Sequence, residues 1–352
     1  MSTAADIRAA IPPDLYGRHD RDRLLRAVHL AVQAMMALLR VSPPPPPTPP
    51  ARRDRHPVRV ARRYDATPDG TVVALEFERT DGVPLPAWHP GAHIDLTLPS
   101  GTYRQYSLCG DPADRHRYRI AVRRIDNGRG GSREIHARLT EGVAFGIGTP
   151  RNAFPFAVGG DPLTRRPVRF IAGGIGITPI LPMLHAATAL ELPWSLVYAG
   201  RDRASLPLLD EIESFGPHTS VHLDSDHGTA TPAHLLTGIT DNTIVYCCGP
   251  APMIDAVKAV TATMPGVDLF SERFNPPPII GGEPFDITLT RTGEVIHVPA
   301  DRSALDILLE HRPHLPYSCR QGFCHSCRLD TADGPFQPCV DRPPARRIEL
   351  DL

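Results

Sequence analysis

Four of the chain's seven cysteines fall within the 23 residues from Tyr317 to Cys339, in the run YSCRQGFCHSCRLDTADGPFQPC. Cys319, Cys324 and Cys327 stand at C-x4-C-x2-C spacing, and eleven residues separate Cys327 from Cys339. Thiols so spaced must converge on something, and three chemistries compete. Four thiolates around two irons hold a [2Fe–2S] cluster, and C-x4-C-x2-C with a later fourth cysteine suits it. Structural zinc is usually built from two C-x2-C-like pairs, whereas one pair and two single cysteines stand here. A disulfide is disfavoured by the odd count and by the lack of a secretory signal. The spacing favours iron and sulfur, with zinc or free thiols as the alternatives. Gly322 lies where the loop must turn its N–H groups toward sulfur, a freedom that glycine has. His325 adjoins Cys324, but an iron with histidine ligands needs two of them, so His325 reads as a loop residue.

A one-electron centre raises the question of where its electrons enter. At 352 residues the chain is long enough for two or three domains. Its apolar fraction of 41% and charged fraction of 22% describe an ordinary globular protein. A net charge of −1 argues against nucleic acid as a partner. No apolar run is long enough for a transmembrane helix, and reduced cysteines point to the cytoplasm. Residues 1–56 stand apart. Leu25, Val28, Val32, Met35 and Leu39 recur at helical spacing, which predicts an amphipathic helix from about Asp22 to Val41. A polyproline spacer from Pro43 to Pro50 follows it. This helix packs on its own protein or docks on a partner or membrane surface; the pattern suits each.

From Val58 the pattern becomes short alternating strands: Val58–Val60, Val72–Phe77, His93–Leu98 and Tyr118–Val122. Turn signals at Pro68-Asp69-Gly70 and Pro99-Ser100-Gly101 separate them, which predicts a small antiparallel β-barrel over 57–158. Over 159–276 the strands Val168–Ala172, Ser195–Ala199 and Thr243–Cys248 alternate with helical segments. That order predicts a parallel α/β sheet with nucleotide at the carboxyl ends of its strands. Pro276–Pro278 and Gly281-Gly282 mark a linker. Over 277–352 come a hairpin (Phe285–Thr290, Val295–Val298), a helix opened by Ser303, and the cysteine loop, the order of a β-grasp domain.

Two glycine-rich turns and one short motif carry the remaining chemistry. Arg104-Gln105-Tyr106-Ser107-Leu108 offers an aromatic side chain to pack on an isoalloxazine ring, a hydroxyl near its N5 and a cation for its phosphate. Gly130-Gly131-Ser132 opens a helix over Arg133–Leu139, making an anion site of backbone N–H groups that suits the short tail of FMN. Gly173-Gly174-Ile175-Gly176-Ile177-Thr178-Pro179 follows a strand and opens a helix, which lets a pyrophosphate approach the backbone. It departs from G-x-G-x-x-G, and Thr178 is placed to cap the helix or touch ribose. Cys248-Gly249-Pro250 ends the third visible strand of that region. Singly each motif also fits an ordinary turn or strand end; the series in this order is more specific.

These motifs, with Gly148–Phe154, Glu272-Arg273-Phe274 and the terminal cysteines, resemble the phthalate dioxygenase reductase family, which includes the vanillate demethylase reductases. The resemblance covers about 57–352. It implies an antiparallel flavin-binding barrel, a parallel α/β nucleotide-binding domain of ferredoxin-reductase type and a β-grasp [2Fe–2S] domain. It further implies an NADH-dependent oxidoreductase in which hydride passes to FMN and electrons then pass singly through the cluster to an oxygenase, Rieske-type in this family. Ser107 would lie near the flavin N5 and Cys248 near the nicotinamide, with Glu272 and Phe274 closing the site. Cys319, Cys324, Cys327 and Cys339 would hold the cluster.

The sequence departs from the family in two places. The connection between Cys327 and Cys339 is short, yet twelve residue steps reach roughly 40 Å when extended. A strand out from Arg328, a turn at Ala332–Pro335 and a return through Phe336 would bring Cys339 back beside Cys327. After the second nucleotide-domain strand stand Arg201 and Asp202. An acid there suits the ribose of NADH and an arginine the 2′-phosphate of NADPH, so both cofactors stay open, the resemblance favouring NADH. Two further functions compete: a free-standing flavin reductase of diffusible acceptors that has lost its cluster, and a partner-docking protein with secondary redox activity.

Overall fold

The computed structural model describes residues 55–352 apart from 102, 129, 157–165, 275–278, 318–319, 321 and 323–325. The described residues belong to one unit, Arg52–Leu352. The expected N-terminal helix, the polyproline run, the Pro276–Pro278 linker, Cys319 and Cys324 lie outside the described residues.

Residues that alternate inward and outward build the first sheet. Its strands are β1 (His56–Asp65), β2 (Val72–Arg79), β3 (Ala92–Thr97), β4 (Tyr103–Ser107), β5 (Tyr118–Arg123), β6 (Ala144–Ile147) and β7 (Arg151–Asn152). They run in the order β4-β3-β6-β1-β2-β5, with β7 on β3, and every pair is antiparallel. Val58, Val60, Leu75, Phe77, Ile94, Leu96 and Ile120 face a common core. Just past β4, the Cys109 N–H donates to Arg119 O of β5 at 2.8 Å, curling the sheet toward closure as a barrel. Helix α1 (Gly131–Arg138) packs Ile135 into that core.

The second sheet is parallel, in the order β10-β9-β8-β11-β12. Its strands are β8 (Val168–Gly173), β9 (Trp194–Gly200), β10 (Thr219–Leu223), β11 (Ile244–Cys248) and β12 (Asp268–Glu272). All six residues of β8 are buried, as expected of a strand covered on both faces. Helices α2 (Ile177–Ala189), α3 (Leu209–Glu213), α4 (Asp224–His227), α5 (Pro232–Leu235) and α6 (Ala251–Thr261) connect or cover the strands. Strands β10 and β12 and helices α4 and α5 are additions to the sequence reading. Each is five residues or fewer, too short to show a period.

The third region pairs β13 (Phe285–Leu289) antiparallel with β14 (Val295–Val298) and parallel with β17 (Arg347–Leu350). Helix α7 (Ala304–His311) crosses this sheet, and the Ser303 hydroxyl accepts from the Asp306 N–H at its start (3.1 Å). Between them β15 (Leu329–Thr331) and β16 (Gly334–Phe336) form the short hairpin read from the sequence, registering Leu329 with Phe336 and Thr331 with Gly334. The cores here draw on residues from Phe285 onward.

The barrel and the parallel sheet, by contrast, share one core. Val72, Cys109, Ala121 and Phe154 pack in the same cluster as Phe170, Ile177, Tyr198 and Tyr246. Polar bonds reinforce the seam. Arg119 of β5 donates twice to Glu211 of α3, at 3.0 Å each, and also to Cys109 O. Both side chains are largely screened from water, 18% and 31% exposed. Breaking a buried pair leaves an uncompensated charge and costs roughly 3–5 kcal/mol, less where water reaches it. Glu211→Ala should therefore cost about 2 kcal/mol, read as a lower urea midpoint, and adding Arg119→Met should recover part of the loss.

Candidate cofactor sites

Arg104 and Tyr106 alternate on one face of β4. Arg104 stands opposite Leu96 and Tyr106 opposite Ile94. Tyr106 leans on the barrel core, and burial pushes its phenol up to about 12. The Arg104 side chain closes over the start of α1: a Cβ on Gly131 would lie 2.3 Å from its Nε. Gly130, at φ 82°, takes the left-handed turn that starts the helix. The Ser132 hydroxyl accepts from the Ile125 N–H at 3.1 Å and keeps its own proton to donate. A guanidinium thus lies over a helix N-terminus whose second residue carries a hydroxyl, a donor set that fits a phosphate. Ser107 is 7% exposed at the end of β4, on the face it shares with His93. Leu108 is turned inward: its side chain is in the barrel core and its N–H goes to Ala92 O, leaving its carbonyl as the group to offer a ligand.

The parallel sheet changes direction between β8 and β11, and such a switch point opens a crevice at the carboxyl ends of the strands. Gly173–Pro179 and Cys248–Pro250 meet there. A Cβ on Gly176 would lie 2.2 Å from Cys248 O and 2.9 Å from Gly249 N. One on Gly173 would lie 2.6 Å from Pro250 Cδ. These glycines are therefore required first by the contact of the two turns, a reason that the phosphate argument did not contain. Of the two roles expected of Thr178, capping the helix or touching ribose, the first is not the one it takes. It is the second residue of α2, 2% exposed, and its Oγ1 donates to Ile175 O at 3.1 Å.

Two residues of this crevice escaped the sequence reading. Tyr198, fully buried on β9, shares its single hydroxyl proton between Pro207 O (2.8 Å) and Gly174 O (3.1 Å), tying the glycine turn to the next loop. Arg123 reaches in from the barrel, its Nη2 on Ser205 O at 2.9 Å and 3.4 Å from where a Gly174 Cβ would stand. Burial, and then the charge of Arg201, push its pKa down, and its Nε is buried without a hydrogen-bond partner. A bound anion would meet both demands. Asp202 uses its carboxylate to cap the short turn Arg203–Ser205, accepting from the Ser205 N–H at 2.9 Å, while Arg201 is exposed.

Beyond Cys248 lies Glu272, its partner across the β11–β12 ladder. Burial pushes its carboxyl up to about 8, and its Oε2 has no hydrogen-bond partner. Burial, and then the charge of Glu272, hold the Cys248 thiol well above the usual range, so it is a neutral, packed group. Arg273 pairs with Asp255 of α6, and Phe274 leaves its ring 43% exposed.

In the third region the β15–β16 hairpin returns the chain as expected. Cys327 and Cys339 are 5% and 6% exposed and share an apolar cluster with Leu305 and Tyr317. Gly322, at φ 87°, lies where a Cβ would meet Val340 Cγ2 at 2.7 Å. Two buried thiols brought into one dry cluster fit a soft metal centre.

Similarity to known proteins follows the same division. A family model described as an oxidoreductase NAD-binding domain matches residues 170–259, and one described as a 2Fe-2S iron-sulfur cluster binding domain matches 287–347. Phthalate dioxygenase reductase from Burkholderia cepacia is 37% identical over 303 residues, 78% of this chain and 92% of that one. The chain belongs to the phthalate dioxygenase reductase family. A solved phthalate dioxygenase reductase, described as a modular structure for electron transfer from pyridine nucleotides to [2Fe–2S], superposes with a TM-score of 0.68 at 30% identity. It covers 87% of this chain and all of that one. An intact type IV self-sufficient cytochrome P450 monooxygenase superposes with a TM-score of 0.69 at 29% identity, over 91% of this chain and 44% of that one. This member of the phthalate dioxygenase reductase family is thus an oxidoreductase with NAD-binding and [2Fe–2S] domains. Among the described residues no helix is long and apolar enough to cross a membrane.

Two substitutions probe the nucleotide crevice. Gly176→Ala drives a methyl into backbone and should cost about 3 kcal/mol, with a lowered Tm and weakened NADH binding by fluorescence titration. Glu272 holds a proton in the native state that the unfolded chain releases above its ordinary pKa of 4.5. Native stability contributed by this site therefore falls as pH rises from about 4.5 to about 8. Glu272→Gln should remove that slope, matching the parent near pH 4 and exceeding it by roughly 2–4 kcal/mol at pH 8 in urea unfolding.

Proposed function

We propose that this chain is the reductase component of an oxygenase system, drawing electrons from NADH and delivering them through FMN and a [2Fe–2S] cluster. The observation that carries the reading is the pairing of a nucleotide domain and a cluster domain in one chain. Pyridine nucleotides give electrons in pairs as hydride, whereas a [2Fe–2S] centre takes one at a time. When bound, FMN supplies the step between them, since it accepts hydride and releases single electrons. The barrel would seat it over residues 57–158, with Arg104, Gly130, Gly131 and Ser132 on its phosphate, Tyr106 and Leu108 along its ring and Ser107 near N5. The nucleotide would lie over 159–276, its pyrophosphate on Gly173, Gly174 and Gly176 beside Thr178 and Pro179, with Arg123 as countercharge and Arg201 and Asp202 at its ribose. Cys248, Gly249, Pro250, Glu272 and Phe274 would enclose the nicotinamide and exclude water. Over 277–352, Cys319, Cys324, Cys327 and Cys339 would hold the cluster.

The acceptor is an oxygenase, and we assign it to the Rieske type from the family resemblance. The likeness to a self-sufficient P450 monooxygenase supports a haem oxygenase as the second reading. Reconstitution with each acceptor separates the two. Cys339→Ser is the test of the relay. The variant should lose NADH-driven cytochrome c reduction while keeping ferricyanide reduction, which needs only the flavin. Purified parent protein with FMN but no stoichiometric iron and sulfide would sink the relay.

A further inference from the structure

Arg320 follows the first cysteine of the loop and is tied down on three sides. Its backbone is left-handed, at φ 57°. Its guanidinium lies 4.5 Å from the centroid of the Tyr317 ring, and its Nη1 donates to Asp306 Oδ1 at 3.1 Å. Arg and Asp are 24% and 31% exposed, so the pair is neither open to water nor fully dry. Asp306 is itself oriented, its Oδ2 accepting from the Ser303 hydroxyl at 2.8 Å. Arg302, whose charge Asp306 also feels, is paired with Glu310 at 2.6 Å.

What these anchors touch is the thiol cluster. Tyr317, under the guanidinium, belongs to the same buried apolar cluster as Cys327, Cys339 and Leu305. Leu305 immediately precedes Asp306. A fixed cation and a fixed anion therefore stand at the edge of the dry patch that holds two of the four cysteines. Reduction of a [2Fe–2S] centre adds one negative charge, so a nearby cation favours the reduced form and a nearby anion the oxidised form. A left-handed arginine, where glycine or asparagine is the usual occupant, is a strained choice.

We propose that the Arg320–Asp306 pair sets the reduction potential of the cluster, Arg320 raising it and Asp306 lowering it. The proposal rests on the reading of the four cysteines as [2Fe–2S] ligands. A merely structural role, pinning the loop to α7, predicts something different: loss of either partner would loosen the loop and disturb the centre alike. The two roles differ in sign.

The test is an EPR-monitored redox titration of the holoprotein and its variants, with iron and sulfide content measured on each. Arg320→Gln should make reduction about three- to tenfold less favourable, up to ~59 mV lower for a one-electron couple, and Asp306→Asn should shift it the other way. Arg320→Lys keeps the charge and should stay near the parent, and the Arg320→Gln/Asp306→Asn double variant should return toward it. Shifts of the same sign in both single variants overturn the proposal, as do unchanged potentials with full clusters. An Arg320→Lys shift as large as that of Arg320→Gln also overturns it, assigning the effect to the stack on Tyr317. An unchanged potential with a raised KM for the acceptor assigns Arg320 to docking instead. If Arg320→Gln fails to hold iron, Asp306→Asn and Arg320→Lys carry the comparison. A parent protein without a [2Fe–2S] signal defeats the cluster reading itself, an outcome distinct from all of these.

Discussion

The aromatic cluster around Tyr246 is the contact on which the nucleotide crevice depends. Its ring stacks on Phe270 at 5.1 Å and meets Phe154, Phe156 and Phe170 at 5.6, 5.3 and 5.8 Å. Two of these partners belong to the chain leaving the barrel and two to the parallel sheet, and the Tyr246 hydroxyl bonds to Pro155 O. Aromatic pairs of this kind add about 0.5–1.5 kcal/mol each beyond their buried area. Because Tyr246 lies two residues before Cys248, the same ring that joins barrel to sheet also fixes the strand end at which a nicotinamide would sit.

From that joint the crevice follows with little freedom. With β11 held, Cys248 O faces Gly176 so closely that no side chain fits between, and Tyr198 holds the Gly174 carbonyl from the other side. The turns are thus held by packing on each other. Arg123 enters this frame from the barrel, which makes the crevice a property of two domains together. Its unpartnered Nε and the protonated Glu272 mark opposite chemistry in the crevice, a buried cation on one side and a neutral buried carboxyl on the other.

The sequence disclosed what rests on spacing and failed on what rests on tertiary contact. The hairpin from Leu329 to Phe336 was legible because a short connection with an Asp-Gly turn has few ways to return, and Ser303 because a cap is local. Strands β1, β2, β3 and β5 showed in their alternation. The capping alternative for Thr178 failed because Ser, Thr, Asp and Asn at a helix start read as caps, whereas Gly176 precedes α2 and the threonine bonds back to Ile175. Tyr198 and Arg123 gave no local signal, since each acts on a segment distant in sequence. Strand β17 was missed because its four residues gain meaning only beside β13.

The distribution of cores fits the proposed relay on physical grounds. Hydride transfer requires donor and acceptor atoms within about 3–3.5 Å and aligned, and a misplacement of 1 Å costs orders of magnitude in rate. A barrel and a nucleotide sheet that share one apolar core and a half-buried ion pair suit that demand. Electron transfer to a cluster tolerates a longer and less exact separation, so the third region can fold on cores of its own. What it must control instead is energy, because a centre that is too hard to reduce stalls the flavin and one too easy to reduce retains the electron. Fixed charges near the thiol cluster are one means that a small domain has for doing so, and the Arg320–Asp306 pair, lying over Tyr317 of that cluster, is placed to act in that way.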